Sequence, residues 1–382
     1  MPEGPSATKK PMNPSDRLLR WYGPYALVLL AYWAAARLAG AEPAIGTSVS
    51  AVLGLRIIPD LCAAYVVGRL IVAVTKERTF RGLGRELRRD LWNARTAERL
   101  AGIALFVLGT VFMFDVFGAF KQAIPDLGRY VWDAPLARID AVLHLGRDPW
   151  RWSWALPGRS AVTWLLDRVY VSWYAVLIAS VLIVATWAPL PLRARFFLSL
   201  VASCIVAGTL LAILLASGGP VYYAELTGGG ARFVPLLDLL EGTRAREGQR
   251  ILWEFFETRS EKLYGGVSAM PSMHVALTWL VTLALWSWAR WAGLLAGVYT
   301  ALILVGSVHL GWHYAIDGYM GIAVVGGVWW GVGKSVEWPR TERILESYGH
   351  PPGNRLGQSG HGLVQTGPLP AKRSCPHIGY PL

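Results

Sequence analysis

The sequence predicts an all-α integral membrane protein with about eight transmembrane helices, the last six of which form one core. Three observations predict it. Of 382 residues, 54% are hydrophobic and only 16% are charged, whereas a soluble chain carries about 25% charged residues. The apolar residues fall into separate runs near the ~20 residues that a helix needs to cross hydrocarbon. The 19 Trp and 15 Tyr suit rings lying at membrane–water boundaries. Length alone would suggest two or three soluble domains, and the apolar runs overrule that.

Residues 1–21 are polar, with Lys9, Lys10, Arg17 and Arg20 ahead of the first apolar run, and read as a cytoplasmic segment. The run Tyr22–Leu38 is long for a signal-peptide core and no small-residue cleavage site follows, so it predicts an uncleaved helix near 22–40. A second helix near 57–75 begins with Pro59 and Asp60 and contains Arg69, which must snorkel or face another helix. From Lys76 to Arg99, basic residues alternate with apolar ones at helical spacing, as in an amphipathic helix on the cytoplasmic face. Residues 22–99 are thus two accessory spans and a basic surface segment.

The core, 100–333, holds helices predicted near 100–119, 169–188, 196–216, 275–290, 293–312 and 315–333. The sixth span of the chain is short and turns into the seventh around Arg290, which implies a tight hairpin. Residues 334–382 form a cytoplasmic tail, rich in Pro, Gly and Arg from Trp338 onward and expected to be disordered.

The formal charge of +12 lies between apolar runs, where it orients helices or meets anionic head groups. No nucleic-acid recognition motif accompanies it. Cys62, Cys204 and Cys375 show no ligand spacing, so neither a disulfide framework nor a cysteine metal site follows. Counting spans from the basic stretch Lys76–Arg99 puts both termini, Arg193, Arg195 and the Arg290 turn inside. Loops 41–56, 120–168, 217–274 and 312–315 then lie outside, although 120–168 carries arginines of its own.

Two stretches place ionisable residues where apolar helices begin or end. One runs from Gly265 to His274 through Pro271-Ser272-Met273. The other runs from Gly306 to Asp317 through Ser307, His309 and His313. Ionisable groups at membrane depth cost a few kcal/mol on insertion scales, so a cluster of them points to function. The predicted topology puts both stretches on one face. Pro271 and Ser272 mark a helix N-terminus, where free amides favour a phosphate, and Ser272 can donate a hydrogen bond to it. His313 and Asp317 are four positions apart, so the carboxylate can hold one imidazole nitrogen and leave the other free as a nucleophile. His274 can then act as acid and base.

Pro271-Ser272-Met273-His274 resembles the second signature, P-S-x-H, of the type-2 phosphatidic acid phosphatase superfamily. Gly306 to Asp317 resembles its third, S-R-x5-H-x3-D. Two departures stand out: Gly306-Ser307 replaces the Ser-Arg pair, and the first signature, K-x6-R-P, is not visible. In its place stands Ser217-Gly218-Gly219-Pro220-Val221-Tyr222-Tyr223. With Trp132–Asp140 and His144–Trp150, these features are similar to the branch containing fungal inositol phosphorylceramide synthase and its bacterial relatives. The resemblance covers about 120–320.

The resemblance implies a six-helix core of the phosphatidic acid phosphatase type, with His313 as the phosphorylated nucleophile, Asp317 orienting it and His274 as acid–base partner. It implies no metal and no cofactor. The expected activity is lipid phosphotransfer from a phospholipid donor to a hydroxyl acceptor. Lipid phosphate hydrolysis is the alternative, and a non-catalytic anionic-lipid transporter is the reading from another class. The partners expected are a phospholipid substrate and the membrane, without nucleic acid, and the sequence assigns no oligomeric state.

Candidate phosphate-binding residues are Ser272, Ser307, Gly219, Pro220, Tyr222, Tyr223, Lys121 and Arg147. Further cations on the proposed outer side are Arg232, Arg244, Arg246, Arg250, Arg259 and Lys262. Several positions also have plainer readings. His309 fits a metal pair with His313, a pocket wall or helix packing. His144 fits an interfacial side chain or a substrate contact. Gly218-Gly219-Pro220 fits a helix-ending turn or a phosphate cradle. Tyr222 and Tyr223 fit interfacial rings or pocket walls. Asp133 and Asp140, seven apart, fit a solvated helix face or a head-group site.

Overall fold

The computed structural model describes residues 14–41, 94–258 and 266–335. The helix predicted near 57–75, most of the basic stretch Lys76–Arg99, and the tail from Trp338 lie outside the described residues. So do Gly265, Arg259 and Lys262. Every regular element among the described residues is helical.

The chain runs through α1 (Pro14–Leu38), α2 (Ala94–Leu127), α3 (Asp133–Leu143), α4 (Trp150–Trp154), α5 (Arg159–Val171) and α6 (Trp173–Trp187). It continues through α7 (Leu190–Leu214), whose stretch Val206–Leu211 is a π turn. Short helices α8 (Tyr223–Thr227), α9 (Val234–Leu240) and α10 (Arg244–Glu257) precede α11 (Met273–Trp288), α12 (Arg290–His309) and α13 (Ala315–Ser335).

Among the described residues, five helices are long and apolar enough to cross a membrane, where the sequence predicts eight over the whole chain: Glu98–Leu127, Arg159–Trp187, Leu190–Leu214, Arg290–His309 and Ala315–Ser335. The helix Pro14–Leu38 is not among them, because Tyr22, Tyr25, Tyr32 and Arg37 dilute its apolar run. The apolar helix Met273–Trp288 has only 16 residues, or ~24 Å at 1.5 Å per residue. Its N-terminus starts inside the fold, and the buried residues Ala269, Met270 and Ser272 lead into it.

Boundaries shifted where polar residues face inward. The predicted span 169–188 begins ten residues earlier, at Arg159, because Thr163 and Asp167 are buried against neighbours rather than solvated. The predicted loop 120–168 is shorter than expected and largely helical: α2 runs to Leu127, α3 and α4 occupy its centre, and α5 takes its end.

Packing explains the remaining arrangement. Only Ala289 separates α11 from α12, and a Cβ on Gly293 would stand 2.5 Å from Trp286 Cα. That close approach makes the hairpin that Arg290 predicted. Phe106 and Phe197 stack at 4.4 Å, joining α2 to α7, and Tyr25 of α1 sets its edge on both. Arg195 donates to the Trp329 carbonyl, tying the start of α7 to the end of α13.

Candidate active site

The helix α12 ends in a left-handed turn at Gly311, φ +74°. The amides of Trp312 and His313 both donate to the Ser307 carbonyl, at 3.0 and 3.3 Å. Such a turn satisfies carbonyls that the helix end leaves open, and it delivers His313 just before α13 begins. In the first turn of α13, Asp317 Oδ2 accepts the Tyr314 amide at 2.9 Å, the reach-back half of a capping box. The same oxygen lies 3.4 Å from His313 Nδ1. His313 is 6% exposed and Asp317 fully buried, so the pair is shielded from bulk water. Asp317 Oδ1 has no hydrogen-bond partner among the described residues.

The start of α11 meets this pair directly. The Ser272 amide donates to the Asp317 carbonyl at 3.0 Å. Ser272 occupies the N-cap position, yet its hydroxyl caps no amide and is buried without a partner among the described residues. The first-turn amides of α11 have no intrahelical acceptor. The His274 ring stands 6.0 Å from the His313 ring at 61°. Tyr170, at the end of α5, stacks on His274 at 4.7 Å and 18°, and Trp173, opening α6, contacts it at 4.4 Å.

Two carboxylates of α3 hold the surrounding backbone. Asp133 accepts the amides of Gly218 and Gly219 and the Tyr314 hydroxyl at 2.9–3.1 Å. Asp140 accepts the amides of Ala315 and Ile316 at 3.0 and 3.1 Å, filling the anion position at the N-terminus of α13. Burial pushes both carboxyls above their usual range, while the donated amides pull them back. The solvated-face reading does not survive: Asp133 and Asp140 do share a helix face, but it is buried, and their carboxylates accept from backbone amides and, at Asp133, from the Tyr314 hydroxyl. Their spacing of seven in an amphipathic segment was the available signal.

The Gly219 turn is sewn into the same place. Its φ is +85°, and a Cβ there would stand 2.5 Å from the Trp312 carbonyl oxygen. Val221 donates to the Gly311 carbonyl and Ala269 to that of Ser217. Lys121 of α2 lies within electrostatic range of His274. Gly266 lets the chain pass Lys121 closely, since a Cβ would fall 1.9 Å from the Lys121 carbonyl oxygen.

The other candidates separate. Pro220 is buried beside Gly219. Tyr222 donates to the Gln249 carbonyl at 2.7 Å and stacks on Trp253, and Tyr223 packs on Phe233. Ser307 donates its hydroxyl to the Leu304 carbonyl. Arg147 is exposed near the Trp152 ring. Arg232 is paired with Asp148, and Arg246 and Arg250 with Glu241; Arg244 is exposed.

His309 is buried and stacked on Trp154 at 4.5 Å, with its nitrogens 2.9 Å from Ser153 Oγ and 2.8 Å from Thr163 Oγ1. Both nitrogens are spent on hydroxyls, which is the helix-packing reading. His144 bridges the Asp140 carbonyl and the Tyr319 hydroxyl. No group of three or more His, Cys, Asp or Glu placed for a metal occurs among the described residues. Tyr170 and Trp173 were not singled out from the sequence, because aromatic residues at helix ends are ordinary in membrane chains.

Comparison with protein-family models matches residues 134–331 to the PAP2 superfamily. No curated protein matches, and no solved structure matches.

Proposed function

From the premise that this chain belongs to the PAP2 superfamily, whose members are phosphatases or phosphotransferases, we propose that it is a membrane lipid phosphotransferase working through a phosphohistidine. The observation that carries this reading is the imidazole pair His274 and His313, 6.0 Å apart, with a buried carboxylate 3.4 Å behind His313. One phosphoryl group can touch both rings at that separation.

In the proposed reaction Asp317 holds Nδ1 of His313, which leaves Nε2 as nucleophile. Nε2 attacks phosphorus, the bond from phosphorus to the leaving oxygen breaks, and His274 donates a proton to that oxygen. An acceptor hydroxyl then gives its proton to His274 and attacks phosphorus, and the P–N bond breaks. A lipid hydroxyl as acceptor makes the enzyme a transferase of the phosphoryl-containing head group. Water makes it a lipid phosphatase. The unpartnered Ser272 hydroxyl and the first-turn amides of α11 are the seat for the phosphoryl oxygens, because Asp140 already occupies the N-terminus of α13. Lys121 supplies positive charge.

The departure at Gly306-Ser307 favours the transferase branch that resembles inositol phosphorylceramide synthase. The six helical columns from α2 to α13 serve as the catalytic core, and the site faces the extracytoplasmic side.

The test is turnover of a panel of phospholipids by purified protein, with and without lipid alcohols, read by mass spectrometry. His313→Ala should abolish turnover and any acid-labile phosphoenzyme while the protein stays folded. Full activity in that variant ends the phosphohistidine reading. Products formed only with water assign the phosphatase reaction instead.

A further inference from the structure

Position 307, where the signature of the family carries an arginine, contributes no side chain to the phosphoryl group here. Ser307 is fully buried, and its only hydroxyl proton goes to the Leu304 carbonyl. The transferred group nevertheless spreads negative charge over its equatorial oxygens in the transition state, and catalysis needs donors aimed at them.

Tyr170 has the attributes of such a donor. It is 6% exposed, and its hydroxyl is buried with no hydrogen-bond partner among the described residues. A buried phenol usually finds one. The ring lies nearly parallel to His274 at 4.7 Å and faces Trp312, the neighbour of His313, at 6.3 Å. It also borders the departing pair, since a Cβ on Gly306 would stand 3.8 Å from Tyr170 Cδ2. Asp317 is within electrostatic range of it. Stacking alone accounts for the ring, and phenylalanine would serve that purpose equally. It leaves the hydroxyl unexplained.

We propose that Tyr170 is a catalytic residue whose hydroxyl donates a hydrogen bond to a non-bridging oxygen of the phosphoryl group between His274 and His313. The hydroxyl stays protonated throughout and no bond to it is made or broken. This rests on the phosphohistidine reading above.

The experiment compares Tyr170→Phe with the parent full-length protein in detergent, by lipid turnover, by affinity for orthovanadate and by unfolding midpoint. Removing one transition-state donor costs roughly 100-fold in kcat in comparable sites, so turnover should fall about that far. Vanadate affinity should fall with it, while the midpoint without ligand holds or rises. Vanadate binding decides the matter even where no lipid of the panel is turned over. Parental turnover and vanadate affinity in Tyr170→Phe would overturn the proposal. A lowered midpoint with parental vanadate affinity would also overturn it, by assigning the hydroxyl to packing. His313→Ala run beside it separates the two ideas. Retained turnover there removes the phosphohistidine premise, whereas loss there with a normal Tyr170→Phe removes only the role of Tyr170.

Discussion

Asp140 shows how a residue outside the signatures can govern one inside them. Its carboxylate accepts the amides of Ala315 and Ile316, and the first turn that it caps carries Asp317, next to His313. Replacing a capping side chain by Ala costs about 0.5–2 kcal/mol, and here the Ala315 amide left behind would be buried and that of Ile316 half-buried, where an unmade bond costs most. Asp140→Ala should therefore lower stability by about 1–2 kcal/mol and lower kcat, because α13 is free to shift against α11. Thermal unfolding in detergent and lipid turnover would check this. A variant equal to the parent in both would show that the start of α13 does not depend on that carboxylate. Residues that act through backbone in this way leave little trace in a sequence, since an aspartate seven residues from another fits a wet helix face equally well. His309 is the converse case. Its spacing from His313 suggested a ligand pair, but Ser153 and Thr163 consume both nitrogens.

Among the elements, the short connections decide the site more than the long helices do. The turn at Gly219 lies against the backbone of Trp312 and accepts no other residue without strain. With φ +85° and ψ 176°, Gly219 sits in an extended positive-φ region that is essentially glycine-only and costs another residue roughly 1–3 kcal/mol, and the Trp312 oxygen 2.5 Å from a Cβ forces a further shift. Gly219→Ala should thus destabilise by at least that amount and depress turnover more than it depresses folding, because the displaced segment includes His313. Gly228→Ala is the control, as φ there is +77° with nothing within 4 Å. It should show a positive-φ cost of roughly 1–2 kcal/mol, that of a left-handed residue, without the loss of activity. Equal behaviour of the two variants would mean that the contact with Trp312 is not what matters. The glycine-rich composition of 218–219 was legible in the sequence as a turn. That the turn abuts Trp312 was not, because the contact spans more than ninety positions.

For the whole molecule, the helix ends sort the charges. Arg193 and Arg195 open α7, Arg290 opens α12 and Lys334 closes α13, all at the end opposite to the His274–His313 pair. The topology we propose from the basic stretch Lys76–Arg99 and the positive-inside rule turns the pair outward and leaves the tail in the cytoplasm. Single cysteines at Gly229 and Leu363, in a chain lacking Cys62, Cys204 and Cys375, test this with an impermeant thiol reagent on intact cells. Gly229 should label and Leu363 should not, and the reverse pattern would move the chemistry to the cytoplasmic face. The sequence by itself determined the helical membrane class and most helix positions, and it singled out His274, His313 and Asp317 as candidates, which the fold places side by side. Those follow from local properties: apolar run length, and ionisable residues at fixed spacing within one helix turn. Only the tertiary structure decided that Asp133 and Asp140 are backbone acceptors, that Tyr170 stacks on His274 and that Tyr222 and Ser307 turn to neighbouring carbonyls. Each of these depends on contacts between segments distant in the chain or on which way a polar atom points, and neither periodicity nor composition records that.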